Sequence, residues 1–463
     1  MTPDRAGQEM YELVSDLYPI CRSITGPGVR ETLQRLNAHV PIDIHEVPTG
    51  TKVFDWEVPK EWRIRDAYIG DTDGNRIVDF KESNLHVVSG SVPVSQTMPW
   101  SALKDHLHTL PEQPDLIPYR NCFHREDWGF CLRHDLFERL DARGEQSYEV
   151  CIDATLADGS LTYGEFYLPG ESRSEVLFSC HVCHPSLAND NLSGIAVATY
   201  LAKHLMQQPR RYSYRILFIP ATIGAITWLS LNQEQTAHIE HGLVLALLGD
   251  SAPFTYRKSR RGEAAIDRVV EHVLRRSGEK NSILDFEPFG YDQRQFCSPG
   301  FDLPMGCLMR SADQQFSEYH TSADNLDLVQ PRYLAESLDA CVAITDTLEA
   351  DRTYINRSPY GEPRLGERGL YHAFGSLVDG ASAQQATLWV LNLSDGNNSL
   401  LDIAERSGLT FDEVRRAADA LIDQELLEEC RGGDEHASWV SGRHTDHQLE
   451  ELRDSGIQRV PRP

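Results

Sequence analysis

Histidine and carboxylate side chains suited to metal chemistry occur in two stretches of the chain. Residues 179–194 read SCHVCHPSLANDNLSG, and residues 318–327 read EYHTSADNLD. Zinc in catalytic sites is bound by His nitrogens and carboxylate oxygens, with one position left open for water. His181, Asp190 and His320 supply such a set, and Asp250 in LLGDS is a further candidate. Bound zinc polarises a carbonyl and activates water, so this set predicts metal-assisted hydrolysis.

Three other interpretations of the first stretch carry less weight. The sequence CHVCH at 180–184 matches the c-type haem pattern C-x-x-C-H. That attachment accompanies export, and the N-terminal residues lack the basic and apolar regions of a signal peptide. A structural zinc knuckle is disfavoured because neighbouring donors on an extended strand point to opposite faces. Polar residues on a loop would explain any single histidine, and they explain the three candidate ligands together less well than a metal site does.

Alternating strands and helices must position these residues. Apolar runs predict buried strands at 175–179, 214–220 and 243–248, and amphipathic patterns predict helices at 8–24, 28–38, 194–207, 266–276 and 331–349. This alternation is typical of a largely parallel sheet covered by helices on both faces. Ligands of such sheets bind beyond the carboxyl ends of the strands, where both stretches are expected to lie.

Changes in residue composition and pattern along the chain predict four regions. An α/β domain is expected from 1–47 and 155–355, interrupted by a β-rich insert at 48–154. A winged-helix domain is expected at 361–431, and 432–463 form a polar tail. The insert could wall off the cleft of the α/β domain and limit the length of a substrate.

Charge excludes some classes of partner. The 463 residues include 44 Lys and Arg against 70 Asp and Glu, a net charge of −26, which disfavours sequence-independent binding to nucleic acid or anionic membrane. A DNA-binding regulator is the alternative that a winged helix suggests. Residues 361–431, however, hold six Arg, no Lys and thirteen acidic residues, so the net charge is 6 − 13 = −7. The module is therefore expected to pack against a neighbour or to mediate a contact in a homo-oligomer.

No apolar stretch is long enough to span a membrane. With scattered cysteines and no export signal, the sequence predicts a cytoplasmic protein.

At these motifs the chain resembles the zinc aminopeptidase superfamily with co-catalytic metals. It is most similar to a bacterial group of aminopeptidase-like proteins with an inserted β-rich domain and a C-terminal winged helix, in which SLANDNLSG, SPGFDLP and EYHTSADNLD recur. The resemblance implies an α/β/α sandwich. It also implies that His181, Asp190 and His320 are metal ligands and that Asp292 helps to shape the site.

The chain departs from the family pattern at three positions. Cys183 stands where the superfamily has an orienting Asp, and Thr222 stands on a metal-ligand Glu. Ala221 occupies the position of the general-base Glu, whose removal typically costs 10²–10⁴-fold in rate. Glu318 and Asp292 are the candidate stand-ins for this base.

The resemblance therefore implies a zinc-dependent hydrolase acting on the N-terminal amide bond of a peptide or aminoacyl compound, with Ala221 at an inactivating position. The alternative is a protein that binds a peptide or amino acid without cleaving it. Candidate substrate contacts are Arg294, Tyr319, Cys183 and Thr222. Arg294 and the basic run 257–261 could pair with a carboxylate.

Overall fold

The computed structural model describes residues 3–312, 316–370 and 377–430. The chain divides into two compact units, Met1–Glu349 and Ala350–Pro463. Within the described ranges, no helix combines the length and the apolar character that a membrane span requires.

A mixed sheet forms the centre of the first unit, here called the large sheet. Among the described residues it has eight strands, in the spatial order Asp43–Pro48, Ser160–Leu168, Ser213–Ile219, Glu175–His181, Ile239–Leu245, Met305–Met309, Phe254–Arg257 and Asn281–Leu284. The four strands from Ser213–Ile219 to Met305–Met309 in this order are parallel to one another. Antiparallel pairs flank them on both sides, so the sheet is mixed and its parallel part is central.

The central parallel strands are buried on both faces. Every residue of Glu175–His181 and of Ser213–Ile219 is buried, as expected for strands covered by helices on both sides. The helices of this unit are Pro3–Leu17, Pro27–Asn37, Trp100–Leu103, His134–Asp141, Gly194–Leu205, Ile223–Leu231, Gln233–Thr236, Ala265–Arg276, Gln293–Phe296 and Pro331–Ala350. The first helix ends at Leu17, earlier than the predicted 24, because a residue before a proline, here Tyr18 before Pro19, disfavours the helical conformation.

Residues 48–154, here called the insert, lie between two strands that pair with each other. Asp43–Pro48 runs antiparallel to Ser160–Leu168 in the large sheet. The intervening chain builds an antiparallel sheet in the order Arg76–Asp79, Glu61–Gly70, Ser147–Ala157 and Val94–Pro99, and two short pairs, Lys52–Val53 with Trp56–Glu57 and Leu107–His108 with Phe130–Cys131. The antiparallel sheet has an apolar core of its own, which includes Trp62 and Tyr148. The exact domain limits at 48 and 154 stay a prediction, since residue contacts group 1–349 as one unit.

The second unit combines a small sheet with helices. The sheet has the order Asp395–Ser399, Thr353–Asn356 and Leu427–Glu429, and the helices are Leu377–Leu393, Leu400–Ser407 and Phe411–Asp423. Ser399 and Thr410 cap the last two helices in reciprocal capping boxes. Because Thr353–Asn356 pairs with both other strands, this unit begins before the predicted limit of 361. The predicted polar tail, 432–463, lies outside the described residues.

Candidate metal centre

The first predicted stretch begins at the end of a central strand. His181 is the last residue of Glu175–His181, and the chain then turns and enters the helix Gly194–Leu205. The next parallel strand, Ser213–Ile219, ends beside it and is followed by Ala221 and Thr222. The candidate residues therefore lie together at the carboxyl ends of the parallel strands, which is where ligands of such sheets bind.

Asp190 lies at the centre of the group and is fully buried. Its Oδ1 lies 2.8 Å from His181 Nε2, and its Oδ2 lies 3.0 Å from His320 Nε2. The three residues predicted as zinc ligands are thus brought together, although 130 residues separate Asp190 from His320.

His184 is a fourth member, which the sequence interpretation did not assign as a catalytic ligand. Its Nε2 lies 3.9 Å from Asp190 Oδ2, and ligand atoms of His181, His184 and Asp190 all lie within 4.8 Å of one another. Neighbouring donors point to opposite faces only along an extended strand. This strand ends at His181, and the chain that follows brings His184 to the same side. The signal for His184 was its spacing of three from His181, at the point where the strand ends.

The protonation states suit a metal. Burial lowers the pKa of His184 to about 3, against the opposing charge of Asp190. Burial alone would raise the pKa of Asp190, but the His184 ring and the hydrogen bonds from His181 and His320 outweigh it and hold that pKa well below its ordinary value. A neutral imidazole and an ionised carboxylate are the forms that bind zinc.

Asp250 holds the loop that carries Asp190. Its Oδ2 accepts a hydrogen bond from Asn189 Nδ2 at 2.6 Å, and its Oδ1 accepts the backbone N–H of Ala252 at 2.7 Å. The Asn189 side chain also accepts the N–H of Gly249. The compact ligand group of His181, His184 and Asp190 does not include Asp250, the predicted further ligand, whose carboxylate is instead bonded to Asn189 and Ala252.

No carboxylate stands at the position expected for the general base. Ala221 is half-buried and packs against the apolar cluster around Ile223 and Tyr291. Cys183 Sγ lies 3.8 Å from the carbonyl oxygen of Ala221. Burial raises the pKa of Cys183 to about 12, so this thiol is protonated at neutral pH. Thr222 directly precedes the helix Ile223–Leu231.

Asp292 offers a carboxylate near the ligands. It is 3% exposed, and its Oδ1 has no hydrogen-bond partner among the described residues. Burial raises the pKa of Asp292 to about 6, and the charges of His181 and Arg294 oppose this rise. Arg294, two residues further on in a short helix, has a buried Nε that likewise lacks a partner within the described ranges.

Glu318 and Tyr319 precede His320 in the second stretch. The Glu318 carboxylate accepts a hydrogen bond from Ser317 Oγ, which belongs to an exposed residue. The Tyr319 ring is stacked on the His320 ring, with centroids 4.0 Å apart. Tyr319 therefore packs against a candidate ligand, and its substrate contact stays a prediction.

The basic run 257–261 is compensated by carboxylates. Ion pairs join Arg257 to Glu287, Lys258 to Glu271, and Arg260 and Arg261 to Asp302. These cations already have partners, so the unpartnered Nε of Arg294 is the better candidate contact for an anionic group.

Comparison with known proteins agrees with this fold. Residues 11–351 match the model of a family described as Domain of unknown function (DUF4910), and residues 352–429 match that of a winged helix-turn-helix. A zinc aminopeptidase of Bacillus subtilis superposes with a TM-score of 0.53 at 13% identity, covering 73% of this chain and 94% of that one. A peptidase M28 precursor of Shewanella amazonensis gives 0.51 at 12% identity, covering 74% and 94%. The fold of the first unit is that of an aminopeptidase-like α/β protein.

Two similar proteins come from Clostridium acetobutylicum. A protein provisionally named for polysaccharide biosynthesis, with an aminopeptidase-like domain, is 50% identical over 421 residues, or 91% of this chain and 96% of the relative. The crystal structure of a protein provisionally named a peptidase has a TM-score of 0.88 at 48% identity, covering 92% of this chain and 97% of that one. The chain belongs to the DUF4910 family of aminopeptidase-like proteins with a C-terminal winged helix.

Proposed function

We propose that this chain is a zinc-dependent hydrolase of the amide bond at the N-terminal end of a peptide or aminoacyl compound. Its rate is lowered because Ala221 stands at the position of the general-base Glu. The observation that carries the proposal is the fully buried Asp190 carboxylate, which the rings of His181, His184 and His320 surround. A buried carboxylate among imidazoles is typical of a zinc site.

The donor set fits zinc. His181, His184 and His320 offer nitrogen ligands, and Asp190 offers a carboxylate oxygen already in its ionised form. When bound, zinc supplies the Lewis acidity that polarises the carbonyl of the scissile amide. Protein groups must then position the substrate and take up the proton of the attacking water.

Asp292 is the better of the two stand-ins for the missing base. Its buried Oδ1 is free to accept a proton, and a pKa of about 6 lies near that expected of a general base working at neutral pH. The Glu318 carboxylate is instead bonded to an exposed serine. Arg294 lies two residues after Asp292 in the chain and could pair with a substrate carboxylate.

Ala221 also supports a second candidate function. Without a carboxylate at this position, the site could bind a peptide or amino acid without cleaving it. The provisional name of the Clostridium relative refers to polysaccharide biosynthesis. We therefore include among the test compounds sugars that contain an amide bond, the N-acylated amino sugars.

The test compares wild type, Ala221→Glu and an Ala237→Glu control, which places the same carboxylate at an exposed position. All three are loaded with zinc and assayed on aminoacyl anilides, short peptides and N-acylated amino sugars. We expect Ala221→Glu alone to raise kcat, by at most about 10²–10⁴-fold, which is the contribution of a full general base. Zinc binding without turnover in any variant would favour the binding protein, and failure of the wild type to bind zinc would overturn both candidates.

A further inference from the structure

A segment of the insert, residues 113–122, runs alongside the loop that carries His320, and is here called the strap. Ile117 and Ser322 are joined twice, by Ser322 N–H donating to Ile117 O at 2.8 Å and Ile117 N–H donating to Ser322 Oγ at 3.0 Å. Gln113 Nε2 donates to Ser317 O at 2.8 Å. These bonds fix the chain on both sides of His320.

The strap also binds the His320 backbone directly. The N–H of Tyr119 donates to His320 O at 2.7 Å. His320 has a φ of 54°, in the left-handed region that residues with a Cβ seldom adopt. Such a conformation persists where the surrounding structure over-determines it, and the strap supplies these restraints.

The Tyr119 ring contacts two candidate ligands at once. Its centroid lies 5.1 Å from that of His320 and 5.2 Å from that of His184, edge-on in both cases. The residue is 4% exposed, and the side chains of Ser89 and Asn121, both in the insert, interact with its hydroxyl. The ring is therefore held from the insert side and abuts both imidazoles.

We infer that the insert completes the metal centre, with Tyr119 as a positioning residue that sets the orientation and separation of His184 and His320. Their ring centroids lie 5.2 Å apart, and Tyr119 contacts both. This inference rests on the proposed zinc function. It assigns the insert a role in holding ligands, in addition to that of a wall beside the cleft.

The experiment measures zinc affinity by chelator competition and the visible spectrum of the Co²⁺-substituted full-length chain. The variants are Tyr119→Leu, Tyr119→Phe, which keeps the ring, and Ser322→Ala, which removes one bond to the strap. Trp56→Leu is the control, because it makes a similar change at an exposed aromatic residue of the insert that lies outside the strap. Loss of a group that orients a metal ligand typically lowers affinity about 10–100-fold.

We expect Tyr119→Leu to lower zinc affinity in that range and to change the Co²⁺ spectrum. Tyr119→Phe should stay close to wild type, and Ser322→Ala should bind zinc more weakly even if Tyr119→Leu does not fold. The inference is overturned if folded Tyr119→Leu or Ser322→Ala binds metal as the wild type does, or if Trp56→Leu loses metal to the same extent. If the wild type itself binds no zinc, the proposed function fails, and the inference with it.

Discussion

The side-chain carboxyl group of Asp324 accepts the backbone N–H of Asp190 at 3.0 Å and so fixes the main chain of the residue at the centre of the candidate site. Its other oxygen accepts the N–H of Asn189 at 2.6 Å. Burial, followed by the charge of Asp190, raises the pKa of Asp324 to about 8. The loop that carries Asn189 and Asp190 is thus held by a buried carboxyl group from the second stretch, residues 318–327.

Replacing Asp324 should destabilise the fold, and replacement by alanine should do so more than replacement by asparagine. Asp324→Asn turns an amide donor towards one backbone N–H, and we expect a loss of about 1–3 kcal/mol in the free energy of unfolding. Asp324→Ala leaves two buried N–H groups without partners and should lose about twice as much. Urea unfolding measures both, with the exposed Asp327→Ala as a control expected to stay within about 0.5 kcal/mol of wild type. Wild-type stability in Asp324→Ala would contradict this account.

His241 should make the fold sensitive to acid. Burial, together with Arg211, lowers the pKa of His241 from 6.5 to about 4. The unfolded chain therefore binds more protons between these values, and the stability that the neutral ring contributes above pH 6.5 is lost as pH falls towards 4. The loss should reach about 3 kcal/mol, since one pKa unit corresponds to about 1.4 kcal/mol.

Urea unfolding at several pH values tests this contribution. His241→Asn should lose stability less steeply than wild type between pH 6.5 and 4, whereas His238→Asn, at an exposed position, should keep the wild-type slope. Identical slopes for wild type and His241→Asn would show that this ring is not responsible.

Arg215 forms a buried ion cluster across three neighbouring strands of the large sheet. Its guanidinium pairs with both oxygens of Glu175, at 2.7 and 2.9 Å, and with Glu165. Arg215→Met would leave two carboxylates uncompensated, so we expect a loss of about 3–5 kcal/mol in the free energy of unfolding. Arg275→Met breaks an exposed helical pair with Glu271 and should cost less than about 1 kcal/mol. Equal losses of unfolding free energy in the two variants, measured with urea, would show that the buried cluster stabilises the fold no more than the exposed pair does.

The second unit should not bind duplex DNA. The basic residues of its helix Phe411–Asp423, Arg415 and Arg416, are paired with Asp412 and Asp419. Phosphate contacts require several available cations. Fluorescence anisotropy of a labelled DNA duplex should show no binding that weakens with salt. If such binding is observed, it would support the alternative of a DNA-binding regulator.

Local patterns predicted much of the centre of this protein. The strand Glu175–His181 and the helices around it follow from apolar runs and amphipathic periods, and three candidate ligands follow from residue types at strand ends. The large sheet was predicted to be largely parallel, but antiparallel pairs form on both sides of its centre.

The unpredicted features depend on turns and long-range contacts. His184 joins the group because the strand ends at His181, and a period-two pattern does not show where a strand stops. Tyr119 reaches His320 from the insert, across about two hundred residues of chain, and nothing local marks that contact. The strand Thr353–Asn356 is too short to show an alternating pattern.

The central claim is that His181, His184, Asp190 and His320 hold zinc. The most direct measurement is the zinc content of chelator-treated, zinc-reloaded protein, by atomic emission, for wild type, His184→Ala and the double variant His181→Ala/His320→Ala. His238→Ala, at an exposed histidine, is the control. We predict stoichiometric zinc in wild type and control and a clear loss in both ligand variants. Zinc-free wild type, or ligand variants that retain as much zinc as the control, would contradict the claim.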